Sequence, residues 1–424
     1  MLMDLVEACL KAKGREAVRA VRALLPSVKP SAIWAIIMHA AAWHEERSFD
    51  TSHATIAVYT IHRMIESLGD HSSLITEEPL TTQAIQLPDE QRKNLQEVLL
   101  ERLAFHLADT NHWRPEHGPR YDIQARLDSK GNAVQVYIQS IRENSQMSAL
   151  KAAAVLGARP DRTMFVRATA SIAAEEPGKL GHAFIMPTSL VMEIPIPEYT
   201  RPHMASLWHL TEFLARKVSS KAADGFSMDE KFSKYAKPTD LTSHQDLFLN
   251  SIVNYGTIGH NAILAHRISE AARLGLVNTG TVEWLLKKLE RNIGTDLKAS
   301  KELTVEQLID RNSGQDWLAP PVEIGLPTSK NVREWIASDY TELWNAMINR
   351  KSAVFEKMIP ELDKDSWSIV RALQYAMAAI SGDMDASHPL IFTQSVWSLV
   401  DNGLVSENIA MLQVHRMLRA TLNS

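Results

Sequence analysis

Cysteine is almost missing from this chain: Cys9 is the only one in 424 residues. No disulfide can close within it, and a thiolate metal cage or Cys-x-x-Cys redox chemistry is excluded. Cys9 sits in the amphipathic run Leu5-Val6-Glu7-Ala8-Cys9-Leu10, where a buried, inert thiol is expected. No block of Lys or Arg stands out and the formal net charge is −5. A nucleic-acid partner, which needs a basic face to neutralise phosphates, is therefore not expected. Long apolar runs are lacking as well. The most apolar stretch, Ala32 to Trp43, is too short to span a bilayer, so no membrane partner is expected. The N-terminus has no basic segment leading into an uninterrupted apolar one, which makes the cytoplasm the expected compartment. The Gly-rich phosphate loop, the dinucleotide fingerprint and the Gly-x-Ser-x-Gly elbow are absent too. Gly256-Thr257-Ile258-Gly259, ahead of a helix, reads first as a tight loop and second as an anion cradle.

What is present is histidine in a pattern. Ser52-His53, Gly181-His182, Gly259-His260 and Ser387-His388 each pair a small residue with a histidine, and each has Ile three places after it: Ile56, Ile185, Ile263 and Ile391. Successive histidines are 129, 78 and 128 residues apart, so a two-histidine unit recurs. Other anchors keep a similar register. Lys29-Pro30-Ser31 matches Lys237-Pro238-Thr239. Asp161 followed by Val166-Arg167-Ala168 matches Asp365 followed by Val370-Arg371-Ala372, and Ala173-Ala174 matches Ala378-Ala379. Trp113 has a counterpart in Trp317. These matches predict an internal duplication, with residues 1–212 and 213–424 as similar halves about a pseudo-two-fold axis.

Apolar residues recur at three- and four-residue spacing along most of the chain, and no alternating strand series is convincing, so the expected class is all-α. Leu2 to Leu25 reads as one helix, and Ala32 to about Arg47 as a second, apolar nearly all round and carrying His39 and His44. Pro187 predicts a kink or an early end in the helix that begins at His182, with Val191 to Pro197 extended beyond it. Residues 109–132 read as a long loop containing His112 and His117, and residues 219–242 as the link between halves.

A histidine in the first turn of a helix faces the positive end of the helix dipole, which favours the neutral, ligating imidazole. His53, His182, His260 and His388 are the candidate metal ligands, for a divalent transition metal with iron first among the options. Asp50, Asp385 and the pair Glu175-Glu176 lie near enough in sequence to bind the metal or orient a ligand. His260 and His39 are the candidate catalytic residues. The competing expectation is that these histidines only pack and hydrogen-bond at helix starts, with Ser and Gly as ordinary caps.

The expected function is an oxidoreductase or oxygenase acting on a small, mainly apolar molecule in a cavity between the halves, in a protein that could also be a homo-oligomer. The alternatives are a helical-repeat scaffold that binds a protein, or a haem or small-ligand carrier. The fragment Ser387-His388-Pro389-Leu390-Ile391 resembles parts of questin-oxidase-like proteins, helical proteins with histidines at helix starts. No residue role is carried over from five residues.

Overall fold

The computed structural model describes residues 2–45, 53–69, 85, 87–127, 132–178, 180–218, 232, 235–256, 259–296, 341–348, 353–362, 364–380 and 387–423. Among them the architecture is all-helical, and the one β-type pairing is an isolated antiparallel bridge between His44 and His112.

Four helices form the centre: α4 (His53–Ser67), α9 (His182–Glu193), α12 (His260–Arg273) and α17 (Ser387–Asp401). Every residue of α4 is buried, as is nearly every residue of the other three. Such helices do not sit at a surface, and their polar side chains are buried along with the apolar ones. Packing runs in a closed ring, α4 on α9, α9 on α12, α12 on α17 and α17 on α4.

The four run parallel. Their first turns meet, and residues one to two turns deeper meet at matched depth. Tyr59 faces His266 with ring centroids 6.3 Å apart, and His266 Nδ1 lies 3.2 Å from Ser395 Oγ.

Each central helix is flanked by two others. α3 (Pro30–Ala41) and α5 (Asp89–Asp109) cover α4, while α8 (Thr163–Glu175) and α10 (Thr200–Lys217) cover α9. α11 (Gln245–Val253) and α13 (Thr279–Asp296) cover α12, and α16 (Lys364–Ile380) and α18 (Glu407–Asn423) cover α17. The remaining helices are α1 (Leu2–Leu10), α2 (Gly14–Leu24), α6 (Ala133–Arg142), α7 (Gln146–Gly157), α14 (Thr341–Ile348) and α15 (Ala353–Met358). No helix among the described residues is long and apolar enough to cross a membrane.

Several expectations need correction. The first helix is two, because Ala12 takes a φ of 54° between α1 and α2. A Cβ at Gly14 would also stand 2.8 Å from the Phe105 ring, so close packing on α5 demands glycine where α2 starts. The helix expected to reach Arg47 stops at Ala41. Beyond it Glu45 N–H donates to the Asn111 carbonyl at 2.9 Å, and Trp113 N–H to the Trp43 carbonyl at 2.9 Å. The long loop is thereby pinned to the end of α3.

Pro187 does not end α9, which continues to Glu193. Thr188 Oγ1 donates to the Phe184 carbonyl at 2.6 Å, and Ser189 Oγ to the Ile185 carbonyl at 2.7 Å, next to the carbonyl that the proline cannot reach. These hydroxyls tie down the turn that the proline loosens. Cys9 is buried as expected, with its thiol pushed up to about 12 by burial. Trp317 lies outside the described residues.

Candidate metal centre

The first turns of α4, α9, α12 and α17 deliver His53, His182, His260 and His388 to one point. Ring centroids lie 5.2 Å apart for His53 and His182, 4.6 Å for His182 and His260, 5.1 Å for His260 and His388, and 4.3 Å for His388 and His53. The four imidazoles thus stand in a ring in the same order as their helices.

Glycine makes two of these entries. Gly181 and Gly259 have φ values of +87° and +89°, in the left-handed region, and a Cβ there would lie 2.9 Å from Leu264 Cδ1 and 2.7 Å from Phe392 Cδ2 respectively. Both the backbone and the neighbouring core helix exclude a side chain. The small residue before His182 and His260 is therefore what lets two helices approach closely enough for their histidines to meet. Ser387 begins α17, and Ser52 lies outside the described residues.

The isoleucine three places on is explained by the same geometry, since positions i and i+3 share a helix face. Ile56, Ile185, Ile263 and Ile391 line the same cavity as the four histidines, one turn deeper, and form its apolar floor. The cavity volume is about 10 Å³, enough for roughly one water-sized group.

Nε2 of His260 is 2.9 Å from Nε2 of His182, which is 3.3 Å from Nε2 of His53. His53, His182 and His260 could together hold a metal ion. With nitrogen–metal bonds of about 2.0–2.1 Å, neighbouring donors stand about 2.9 Å apart at a right angle and about 3.4 Å at the tetrahedral angle. The observed spacings fall in that interval. His182 is driven down to about 2, chiefly by burial, then by the facing imidazoles of His260 and His53, and last by the Lys217 ammonium. It is accordingly the neutral ligand form at any ordinary pH.

Of the carboxylates named from sequence, the two that are described do not join the histidines. Glu175 is buried against Arg142, whose Nε donates to it at 3.2 Å, and Glu176 is exposed. Asp50 and Asp385 lie outside the described residues. His39 does not line the cavity. Its Nε2 is 3.0 Å from the Tyr121 hydroxyl, which also accepts from Trp43 Nε1 at 3.0 Å. Tyr121 thus links the Trp43 indole to the His39 ring. His39 falls to about 4, first because it is buried and then because Arg201 is near.

Two features were missed by sequence reasoning. One is Lys217, at the last turn of α10, whose charge bears on His182. A lone lysine near a helix end carries no signal of that kind. The other is a buried ionic network deeper between the same helices. Arg63 donates to Glu66 at 2.6 Å and pairs with Glu193, His62 Nδ1 lies 2.6 Å from Glu193, and the Tyr59 hydroxyl donates to Glu270 at 2.6 Å while Arg267 pairs with Glu270. The Arg-x-x-Glu spacing in otherwise apolar helices was its available signal.

Compared with protein-family models, with curated proteins and with solved structures, the chain matches none.

Proposed function

We propose that the protein is a metal-dependent oxidoreductase of the oxygenase type, acting on a small, mainly apolar molecule. The carrying observation is the convergence of four histidines from four helix starts, with Nε2 atoms 2.9 and 3.3 Å apart over an apolar floor. His53, His182 and His260 would hold the metal, with His388 supplying the fourth nitrogen. Iron, copper, manganese and zinc all accept such donors; zinc alone of these is redox-inert, and iron is taken first among the others. His260 would serve as a ligand at the reacting atom, and the proposal gives His39 no role.

The same reading takes the chain as an internal duplication. Supporting it, α3–α5 and α11–α13 flank their central helices in the same way, as do α8–α10 and α16–α18. The matched segments at Val166-Arg167-Ala168 and Val370-Arg371-Ala372 both lie on the helix preceding a histidine helix. The division belongs after Lys217, where α10 ends, in preference to 212.

Metal analysis of protein purified without a histidine tag tests the centre. The expected result is about one equivalent of a transition metal per chain, lost in the His182→Ala/His260→Ala variant. A wild-type chain that neither retains nor takes up iron, copper, manganese or zinc would end the proposal.

A further inference from the structure

The network beneath the ring carries one charge more than it cancels. Arg63 and Arg267 supply two guanidiniums, and Glu66, Glu193 and Glu270 supply three carboxylates, which with a neutral His62 leaves one negative charge over. The ion pairs belong to the fold. The Tyr59 hydroxyl cancels no charge, yet it donates to Glu270 Oε2 at 2.6 Å. Passing that proton to Glu270 would bring the carboxylates level with the guanidiniums. A ring that loses an electron must shed the same proton, because Arg267 and Arg63 stand 4.4 and 5.1 Å from its centroid and oppose a further positive charge there. Tyr59 is buried, is the only tyrosine on the four central helices, and follows His53 and Ile56 in three-residue steps along α4. Six residues of helix rise about 9 Å. Trp397, the other electron-rich ring on these helices, donates to the amide oxygen of Gln374, a far weaker base.

We propose that Tyr59 is a redox-active residue, giving one electron to the metal of the ring while its hydroxyl proton passes to Glu270. The proposal rests on the oxidoreductase reading above. With iron(II) in the ring and a peroxide as the oxidant, hydrogen peroxide takes one electron from iron and, through it, one from Tyr59. It takes two protons from solvent and leaves as two waters. The Tyr59 O–H bond breaks and an O–H bond forms on Glu270, which leaves a neutral phenoxyl radical, an uncharged carboxyl and iron(III). Only an electron crosses the isoleucine floor, through close-packed side chains, so Tyr59 needs no room in the cavity. The centre thereby gains a second electron without a second metal or an external donor.

Freeze-quench electron paramagnetic resonance provides the test. The full chain is loaded with iron(II) without air, its iron content is measured, and it is mixed with hydrogen peroxide and frozen. The expected result is an organic radical that narrows when the protein carries ring-deuterated tyrosine. It should also couple to a proton that exchanges in heavy water, the one now on Glu270. Tyr59→Phe should lose the signal. Glu270→Gln should give roughly tenfold less of it, because a charged acceptor holds a hydrogen bond about that much more tightly than an amide. Iron content should match wild type in both variants, which separates the relay from folding; if either holds less iron, the exchangeable proton in wild type decides. An iron-loaded wild type with no tyrosyl signal, a tyrosyl radical without the exchangeable proton, or a Tyr59→Phe chain that keeps the signal overturns the relay and leaves the metal centre standing. Failure to retain iron at all overturns both.

Discussion

Two polar clusters share the same four buried helices and are built on opposite terms. The ring of His53, His182, His260 and His388 places nitrogens against nitrogens, 2.9 and 3.3 Å apart at two of its edges, around an apolar floor. The network a few turns deeper places charges against opposite charges. Arg63 faces Glu66 and Glu193, and Arg267 faces Glu270. Tyr59 lies between the two guanidiniums, 5.1 and 4.4 Å from its ring centroid. Burial pulls the Arg63 guanidinium down, but Glu193 and Glu66 more than offset it and hold it above its usual value. The same exchange leaves Glu193 below the usual carboxylate range despite its burial. In the network each carboxylate already meets a guanidinium, whereas the ring places no charge against its nitrogens. A buried cluster of paired charges is explained by the fold, and a ring of nitrogens that a cation would join points to function.

Acid has the largest expected effect, and it acts on buried histidines throughout the fold, His182 of the ring among them. His39, His112, His182, His203, His209, His266 and His415 all lie below 6.5, in each case chiefly because burial penalises the charged form. A group with a depressed folded value takes up its proton first in the unfolded chain, so these histidines contribute stability above pH 6.5 and lose it as pH falls. Each costs about 1.4 kcal/mol per pH unit well below 6.5. All seven act in the same direction, so their losses accumulate as pH falls below 6.5. Glu193, lowered from 4.5, begins to count only below that value. Urea midpoints measured from pH 7 to pH 4 should therefore fall, although Glu101, raised to about 7 chiefly by burial, takes up its proton first in the folded chain and offsets part of the loss. A flat profile down to pH 4.5 would mean that the histidines are not held neutral.

Next in size is a break in the network. Arg63→Met leaves Glu66 and Glu193 buried without their guanidinium, which typically costs about 3–5 kcal/mol. The loss should appear in metal-free protein as a lower urea midpoint. A triple variant that also replaces Glu66 and Glu193 by Gln should recover part of it. If Arg63→Met unfolds at the wild-type midpoint, the network is not the self-contained unit described.

Metal addition should move stability in the other direction. At a free metal concentration 100 times Kd, a ligand that binds only the folded chain stabilises it by about 2.7 kcal/mol. Thermal scans with and without the metal should show the shift in wild type and not in His182→Ala. Arg63→Met, weakened though it is, should keep the shift, because the two clusters are separate.

Sequence made the ring legible because its signal was local and repeated: a small residue, His, and Ile three places on, four times over. Helical geometry turns that spacing into a shared face, and the all-α class followed from the same periodicity. The network was not legible because its pairs join residues far apart in the chain, such as His62 with Glu193 and Tyr59 with Glu270. Periodicity says that α4 is buried but not what its Arg63 meets. Helix ends were misjudged where packing set them, as at Gly14 against Phe105, or where hydroxyls offset a proline, as at Thr188 and Ser189. His39 looked functional because it sits in an apolar helix, but its Tyr121 partner is 82 residues away in a loop.

The smallest effect is the most discriminating. His182→Ala removes the imidazole whose Nε2 lies 3.3 Å from His53 and 2.9 Å from His260, yet in metal-free protein it should change stability by less than about 1 kcal/mol. A hydrogen bond between two neutral rings is worth roughly that much. A histidine kept to cap a helix or fill a core would behave differently, with its loss costing stability whether or not metal is present. The experiment is a pair of urea curves, metal-free wild type against metal-free His182→Ala. Near-coincident curves, joined to the lost metal shift in the same variant, place His182 with the added ion. A loss of 2 kcal/mol or more without metal would return the ring to the same class as the network beneath it, a buried cluster that the fold alone accounts for.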